Sequence, residues 1–139
     1  MKHDFPSLNH IVTPPPINLT DCWLPNGFYD STNFIHAICR YDHLDVVTYS
    51  VSPHVTNLRR VIYVEGIPPR AALSCRVTAT HMKLWLAYPK HSAIPDVFIG
   101  SANATAMTLH ELMYKVSPSQ AKALQEYFTE LWANNYKAP

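Results

Sequence analysis

The chain has 139 residues, of which 47% are hydrophobic and 15% are charged, and its formal net charge is +1 at pH 7. This length predicts one domain, and the apolar fraction excludes a disordered tail. The near-neutral balance excludes a global polybasic signal for nucleic acid or membranes, so any basic surface is local. No apolar stretch approaches the roughly 18 residues of a spanning helix, and the N-terminus lacks the apolar core of a secretory signal. We therefore expect a cytoplasmic protein with no membrane partner.

Residues 1–29 differ in composition from the rest of the chain. Proline removes N–H donors and fixes φ, so this stretch predicts an extended N-terminal arm rather than a regular element. The domain proper is then expected over residues 30–139. The prolines of the arm are Pro6, Pro14, Pro15, Pro16 and Pro25.

The remaining chain alternates between helical and strand patterns. One apolar stripe predicts a short helix over 31–40, and β-branched residues predict a buried strand over 44–51. We predict further strands, in chain order, over 61–64, 82–88, 96–99 and 109–116. The expected fold class is α/β, a mixed β-sheet flanked by helices.

The last element has the clearest helical pattern. Ser117, Pro118 and Gln120 stand at the N-cap, N1 and N3 positions of a capping box. A single apolar face follows and predicts a structural helix. That face consists of Ala121, Leu124, Phe128, Leu131 and Trp132.

Cysteines and histidines give no metal-site pattern. Cys22, Cys39 and Cys75 are odd in number and lack CxxC spacing, so we expect reduced, buried thiols. The histidines outside the motif described below share no HxH or HExxH spacing, and we expect no metal and no cofactor. These are His36, His43, His54, His91 and His110, of which His54 and His91 are expected in surface loops.

Polar residues that suit phosphate chemistry gather in the second half of the chain. His81 and Lys83 lie two apart at a predicted strand start, which places both on one face. Ser101 and Asn103 follow an apolar strand at the end where open α/β sheets bind ligands. Glu111, on the next strand, is positioned to accept a hydrogen bond from His81 and fix its tautomer. The set predicts a phosphate site with a histidine nucleophile or acid–base.

These motifs resemble the signature of the phospholipase D superfamily, His-x-Lys followed on the next strand by Gly-Ser-x-Asn. Here it stands as His81-Met-Lys83 and Gly100-Ser101-Ala-Asn103, within the run VFIGSANAT. The resemblance covers roughly residues 31–134 and implies a phospholipase D-like half for the fold. One position departs from the family pattern, because Tyr88 stands where many members have an aspartate.

The resemblance also implies a mechanism and a partner. The chain contains one copy of each motif, and family members build one active site from two copies, so a homodimer with a shared site is implied. His81 would form a phosphohistidine without a metal, Lys83 and Asn103 would hold the phosphate oxygens, Ser101 would support them, and Glu111 would orient the histidine. Single-motif members are mainly nucleases, which favours an endonuclease acting on DNA rather than RNA.

Other interpretations remain open at this point. The fold would also suit another phosphodiester hydrolase, of the phospholipid type, or a phosphate- or nucleic-acid-binding module without turnover. Residues 31–122 hold nine basic against five acidic side chains, which fits either a polyanion groove or an ordinary solvated surface. Trp85 is expected to pack in the core rather than stack on a base or line the dimer interface, and Tyr88 is expected to pack rather than catalyse.

Overall fold

Nine strands and two helices make up the part of the chain that the structure, a computed structural model, describes: residues 14–17, 22–105 and 110–135. The strands are β1 (Cys22–Asp30), β2 (His43–Val47), β3 (Ser50–Val51), β4 (Leu58–Tyr63), β5 (Glu65–Gly66), β6 (Leu73–Arg76), β7 (Leu84–Tyr88), β8 (Asp96–Gly100) and β9 (His110–Val116). The helices are α1 (Ser31–Ile38) and α2 (Pro118–Asn134).

Seven of these strands form one mixed sheet in the order β1-β9-β8-β7-β2-β4-β6. β2, β4 and β6 run parallel to one another, and every other neighbouring pair is antiparallel. β3 and β5 form a separate two-stranded parallel ribbon. The predicted mixed α/β sheet is therefore confirmed.

Each helix covers one face of the sheet, which is why the central strand β7 is buried on both sides. Leu84, Leu86 and Tyr88 contribute to the core beneath α2. Trp85 belongs to the core of the α1 face, where Phe34 meets it edge-on with ring centroids 4.9 Å apart. Trp85 is fully buried and its indole N–H donates to the Ala102 carbonyl oxygen at 3.1 Å, so its predicted core role is confirmed.

A buried carboxylate joins two strands beneath α2. Asp45 on β2 is fully buried and accepts hydrogen bonds from Arg59 and Arg60 on β4, the former at 3.0 Å through Nε. The guanidinium of Arg59 lies over the Tyr88 ring, and that of Arg60 over Phe128. Burial raises the pKa of Asp45, but the hydrogen bonds and charges of the two arginines outweigh it and hold this pKa below its usual value.

The N-terminal arm is the largest departure from the predicted elements. Residues 22–30 form β1, an edge strand paired with β9, so the prediction that they carry no regular element is wrong. Pro25 lies between the paired residues Trp23 and Phe28, where the β1–β9 register shifts, and an edge strand tolerates a proline at such an irregularity. Residues 1–13 and 18–21 lie outside the described residues, and the domain boundary at residue 30 stays a prediction.

Other boundaries shift for local reasons. The predicted strand 44–51 breaks after β2, where Thr48 and Tyr49 separate it from β3. β6 was not predicted, because its four residues lack a clear alternation. β7 begins at Leu84, so His81 and Lys83 precede the strand. The prediction that these two residues share one face of a strand is therefore wrong.

The C-terminal helix begins at the predicted residues but without the predicted capping hydrogen bond. Ser117 is the N-cap and Pro118 follows it, as predicted, whereas the Ser117 side chain forms no capping hydrogen bond. The Ser117 hydroxyl lies 3.3 Å from that of Ser119 instead. The predicted apolar face is buried except for Trp132, which is partly buried, and it also includes Tyr127.

The thiols and loop histidines give mixed outcomes. Cys75 is a buried thiol outside any disulfide, as predicted, whereas Cys39 is exposed because it lies just beyond the end of α1. The side chain of Cys22 is not among those that the structure describes. His54 and His91 are exposed in loops, as predicted.

Candidate functional site

The polar residues singled out by the sequence lie at one edge of the sheet, the edge formed by the ends of its strands. Val47 at the end of β2 pairs with Leu84 at the start of β7, which in turn pairs with Ile99 near the end of β8. Gly100 pairs with Met113 on β9. The loops that follow β2 and β8 and those that precede β7 and β9 therefore adjoin, at the edge where the parallel strands have their carboxyl ends.

His81 and Lys83 line a cleft of about 260 Å³ at this edge. His81 is exposed and Lys83 is half-buried, so both reach a ligand that enters from solvent. Gly100 forms part of the same wall, and Leu124 and Tyr127 of α2 form another. Pro14, Pro15 and Ile17 of the N-terminal segment also border the cleft.

Asn103 is held in one orientation by the segment that follows β2. Its Oδ1 accepts from the Ser50 backbone N–H at 3.0 Å, and the Thr48 hydroxyl lies 3.1 Å from the same oxygen. A backbone N–H can only donate, so this contact identifies the bonded atom as oxygen and settles the amide orientation. The Asn103 carboxamide therefore directs its two N–H donors away from Ser50.

Thr48 is the buried residue that organises this contact. Its side chain is fully buried, and its hydroxyl also accepts from the Ala104 N–H at 3.1 Å and lies 2.8 Å from the Ser50 carbonyl oxygen. One hydroxyl thus connects the loop after β2 with the loop after β8. Removing it leaves the Ala104 donor buried without this partner.

Thr48→Val is expected to lower the free energy of unfolding by about 1–3 kcal/mol, because valine matches the shape of threonine but leaves a buried donor unpaired. Urea denaturation followed by circular dichroism measures the change. Thr78→Val is the matched control, since Thr78 is exposed, and it is expected to change little. Equal midpoints for the wild type and Thr48→Val would contradict the organising role of this hydroxyl.

Gly100 and Ser101 fasten the end of β8 to β9. A Cβ at position 100 would clash with the Leu112 carbonyl oxygen, so only glycine permits this approach. The Ser101 N–H donates to that oxygen at 3.0 Å, and the Leu112 N–H donates to the Ser101 hydroxyl at 3.0 Å. Ser101 is exposed beside the site, and its predicted phosphate contact stays a prediction.

Glu111 lies on β9 next to Leu112 and is half-buried. No hydrogen bond joins it to His81 in the described part of the chain, so the predicted carboxylate–imidazole contact is not formed here. The imidazole stacks instead on the Tyr49 ring, with centroids 4.6 Å apart and planes 16° from parallel. The orienting role of Glu111 remains a prediction.

Tyr49 and its neighbours Thr48 and Ser50 are the site residues that the sequence analysis missed. The interaction of the Tyr49 phenol with the Glu65 carboxylate raises the pKa of Tyr49. A signal for this segment existed, because a Thr-Tyr-Ser run directly follows the buried Val46 and Val47. Polar residues at the carboxyl end of a buried strand are typical of ligand-binding loops.

Tyr88, which stands where many family members have an aspartate, lies at the opposite end of β7 from the cleft. It is buried, its hydroxyl accepts from Gln125 Nε2 at 3.1 Å, and its ring stacks on His43 at 4.7 Å. Its predicted packing role is confirmed. Tyr88 therefore belongs to the far edge of the sheet rather than to the cleft.

The described residues contain no group of three or more His, Cys, Asp or Glu side chains able to hold a metal ion. Among the helices that the structure describes, none is long and apolar enough to cross a membrane.

Comparison with solved structures identifies a similar fold. Nuc from Salmonella typhimurium, a phospholipase D family member, matches with a TM-score of 0.56 and 13% sequence identity. The match covers 81% of this chain and 97% of Nuc. No protein-family model matches the sequence, and no curated protein matches it. The match confirms the fold that the two motifs implied.

Proposed function

From the phospholipase D fold of this chain, we propose that it is a metal-independent phosphodiesterase that cleaves nucleic acid through a phosphohistidine intermediate. The observation that carries the proposal is one cleft lined by His81 and Lys83 at the sheet edge where Asn103 is anchored. A histidine nucleophile together with an ammonium group and an amide donor can support an in-line attack on a phosphodiester.

The chemistry requires two histidines with successive roles. A ring nitrogen of His81 attacks phosphorus and forms an N–P bond while the P–O bond to the leaving group breaks. The partner subunit's His81, as imidazolium, gives its proton to the leaving oxygen. It then takes a proton from water, whose oxygen attacks phosphorus, breaks the N–P bond and restores His81.

The two chains of a homodimer supply these two histidines in the proposal. The 139 residues contain one His-x-Lys and one Gly-Ser-x-Asn, so a single chain provides half of the required set. Leu112, beside Ser101, is 47% exposed and offers apolar surface that a second subunit would cover. We expect light scattering to give twice the 15.8 kDa chain mass. When a reaction with labelled substrate is quenched, we expect one phosphoryl group to be bound per two chains. A monomer that cleaves at full rate would contradict the shared site.

Lys83 and Asn103 are proposed to stabilise the charge that develops on the non-bridging oxygens. Lys83→Ala and Asn103→Asp are each expected to lower kcat by about 10²–10³-fold, the usual effect of losing one such donor. Aspartate at 103 retains an oxygen to accept from Ser50 while it removes the two N–H donors. Lys90→Ala is the matched control, because Lys90 is exposed in the loop at the other end of β7. Wild-type rates in both site variants would contradict this role.

The proposed function is tested by cleavage in EDTA. Wild-type protein is incubated with single- and double-stranded DNA and RNA, and with a phospholipid diester, and the products are separated by electrophoresis or chromatography. Cleavage of DNA in EDTA is the expected result. Cleavage of the lipid alone would assign a different phosphodiester substrate, and binding of oligonucleotides without cleavage would identify a phosphate-binding module.

A further inference from the structure

We propose that Tyr49 is a positioning residue for His81. The inference rests on the proposed function and adds to it a residue outside both sequence motifs. The stacked arrangement of the two rings, 4.6 Å apart and 16° from parallel, is the contact that carries it.

His81 requires a positioning contact because its own backbone is not part of a regular element. Residues 77–83 precede β7 without helix or strand, and His81 is exposed. The other side-chain candidate, Glu111, makes no hydrogen bond to it among the described residues. An exposed side chain on an irregular segment otherwise samples several rotamers. A contact with one face of the imidazole therefore restricts the direction of both ring nitrogens.

The backbone of Tyr49 is fixed on both sides, so the ring is a rigid support. Its carbonyl oxygen accepts from the Val64 and Glu65 N–H groups at 3.1 and 3.0 Å. The preceding residue, Thr48, is fully buried, and the following residue, Ser50, donates to Asn103. Tyr49 thus belongs to the same framework that orients the Asn103 amide.

The phenol hydroxyl of Tyr49 interacts with the Glu65 carboxylate, which raises the pKa of Tyr49. The ring is supported through its hydrogen-bonded backbone, and its face contacts the imidazole. A stack on a ring face leaves the imidazole edge, which carries both nitrogens, available to phosphorus and to the leaving oxygen.

The test compares Tyr49→Leu, which removes the aromatic face, with Tyr49→Phe, which retains it. Tyr49→Leu is expected to lower kcat by about 10–100-fold with KM within twofold of wild type, because a small misplacement of a nucleophile has an effect of this size. Tyr49→Phe is expected to recover most of the rate. In NMR spectra, the His81 ring protons are expected to keep their ring-current shift in Tyr49→Phe and to lose it in Tyr49→Leu.

Tyr88→Leu is the matched control, because Tyr88 stacks on His43 with a similar geometry, 4.7 Å and 15°, at the opposite edge of the sheet. It is expected to lower thermal stability and to leave kcat unchanged in the folded protein. Two results with an active wild type would overturn this inference but not the proposed function. One is full activity of Tyr49→Leu, and the other is an equal loss of activity in Tyr49→Leu and Tyr49→Phe. No cleavage by the wild type would overturn the proposed function, and this inference with it.

Discussion

His81→Ala is expected to reduce phosphodiester cleavage by about 10⁴-fold or more, an effect of the size seen when an enzyme loses its nucleophile. The expectation follows from the proposed chemistry, in which the imidazole both forms the N–P bond and, from the second subunit, protonates the leaving oxygen. Both histidines of a dimer are lost in the variant, so neither step has a substitute. Cleavage rates in EDTA measure the effect.

The structure predicts that this variant folds normally. His81 is exposed and precedes β7, so its removal leaves no cavity in either core. His54→Ala is the control, because His54 is also exposed and lies in a loop. We expect unchanged circular dichroism for both variants and loss of cleavage only in His81→Ala. A radiolabelled substrate quenched at alkaline pH is expected to label wild-type protein and not His81→Ala. Residual cleavage above about one tenth of the wild-type rate would contradict the nucleophile assignment.

The sequence located candidate site residues more directly than it located the residues that contact them. His81, Lys83 and Asn103 were located from two short motifs, and the structure places the first two in one cleft. Gly100 of the second motif is required by a close backbone approach to Leu112, a constraint that a sequence pattern records directly. The two motifs do not indicate Thr48 or Tyr49, because the roles of these residues depend on contacts across the sheet.

Contacts between residues distant in the sequence explain most of the differences between the predicted and the observed structure. Thr48 and Asn103 are 55 residues apart, and their hydrogen bond exists only because β2 and β8 flank β7. Similarly, β1 forms despite its proline because β9 is available as a partner. Local patterns indicated the helices and five of the strands within a few residues, since hydrophobic periodicity is a local property. They did not indicate which irregular segments would meet.

Asp45→Ala is the second large effect that we expect, a decrease of about 3–5 kcal/mol in the free energy of unfolding. Asp45 is fully buried, and its carboxylate is the shared acceptor for Arg59 and Arg60. Alanine would remove the shared acceptor of both guanidinium groups and leave the more buried one, that of Arg60, without the charge that offsets its burial. Asp42→Ala is the matched control, because Asp42 lies three residues earlier, is exposed, and is expected to change stability little.

The same carboxylate gives a pH dependence whose sign follows from its lowered pKa. Burial acts to raise the pKa of Asp45, but Arg59 and Arg60 lower it below its usual value. Its contribution to stability is therefore fully present above the unfolded-state pKa of about 3.9 and is lost as pH falls through the lower folded-state pKa. Asp45→Asn, which keeps the shape and removes the charge, is expected to show a flatter decline in unfolding free energy below about pH 4 than the wild type. Urea titrations between pH 7 and pH 2 measure both curves, and parallel curves would show that the two arginines do not stabilise the ionised carboxylate.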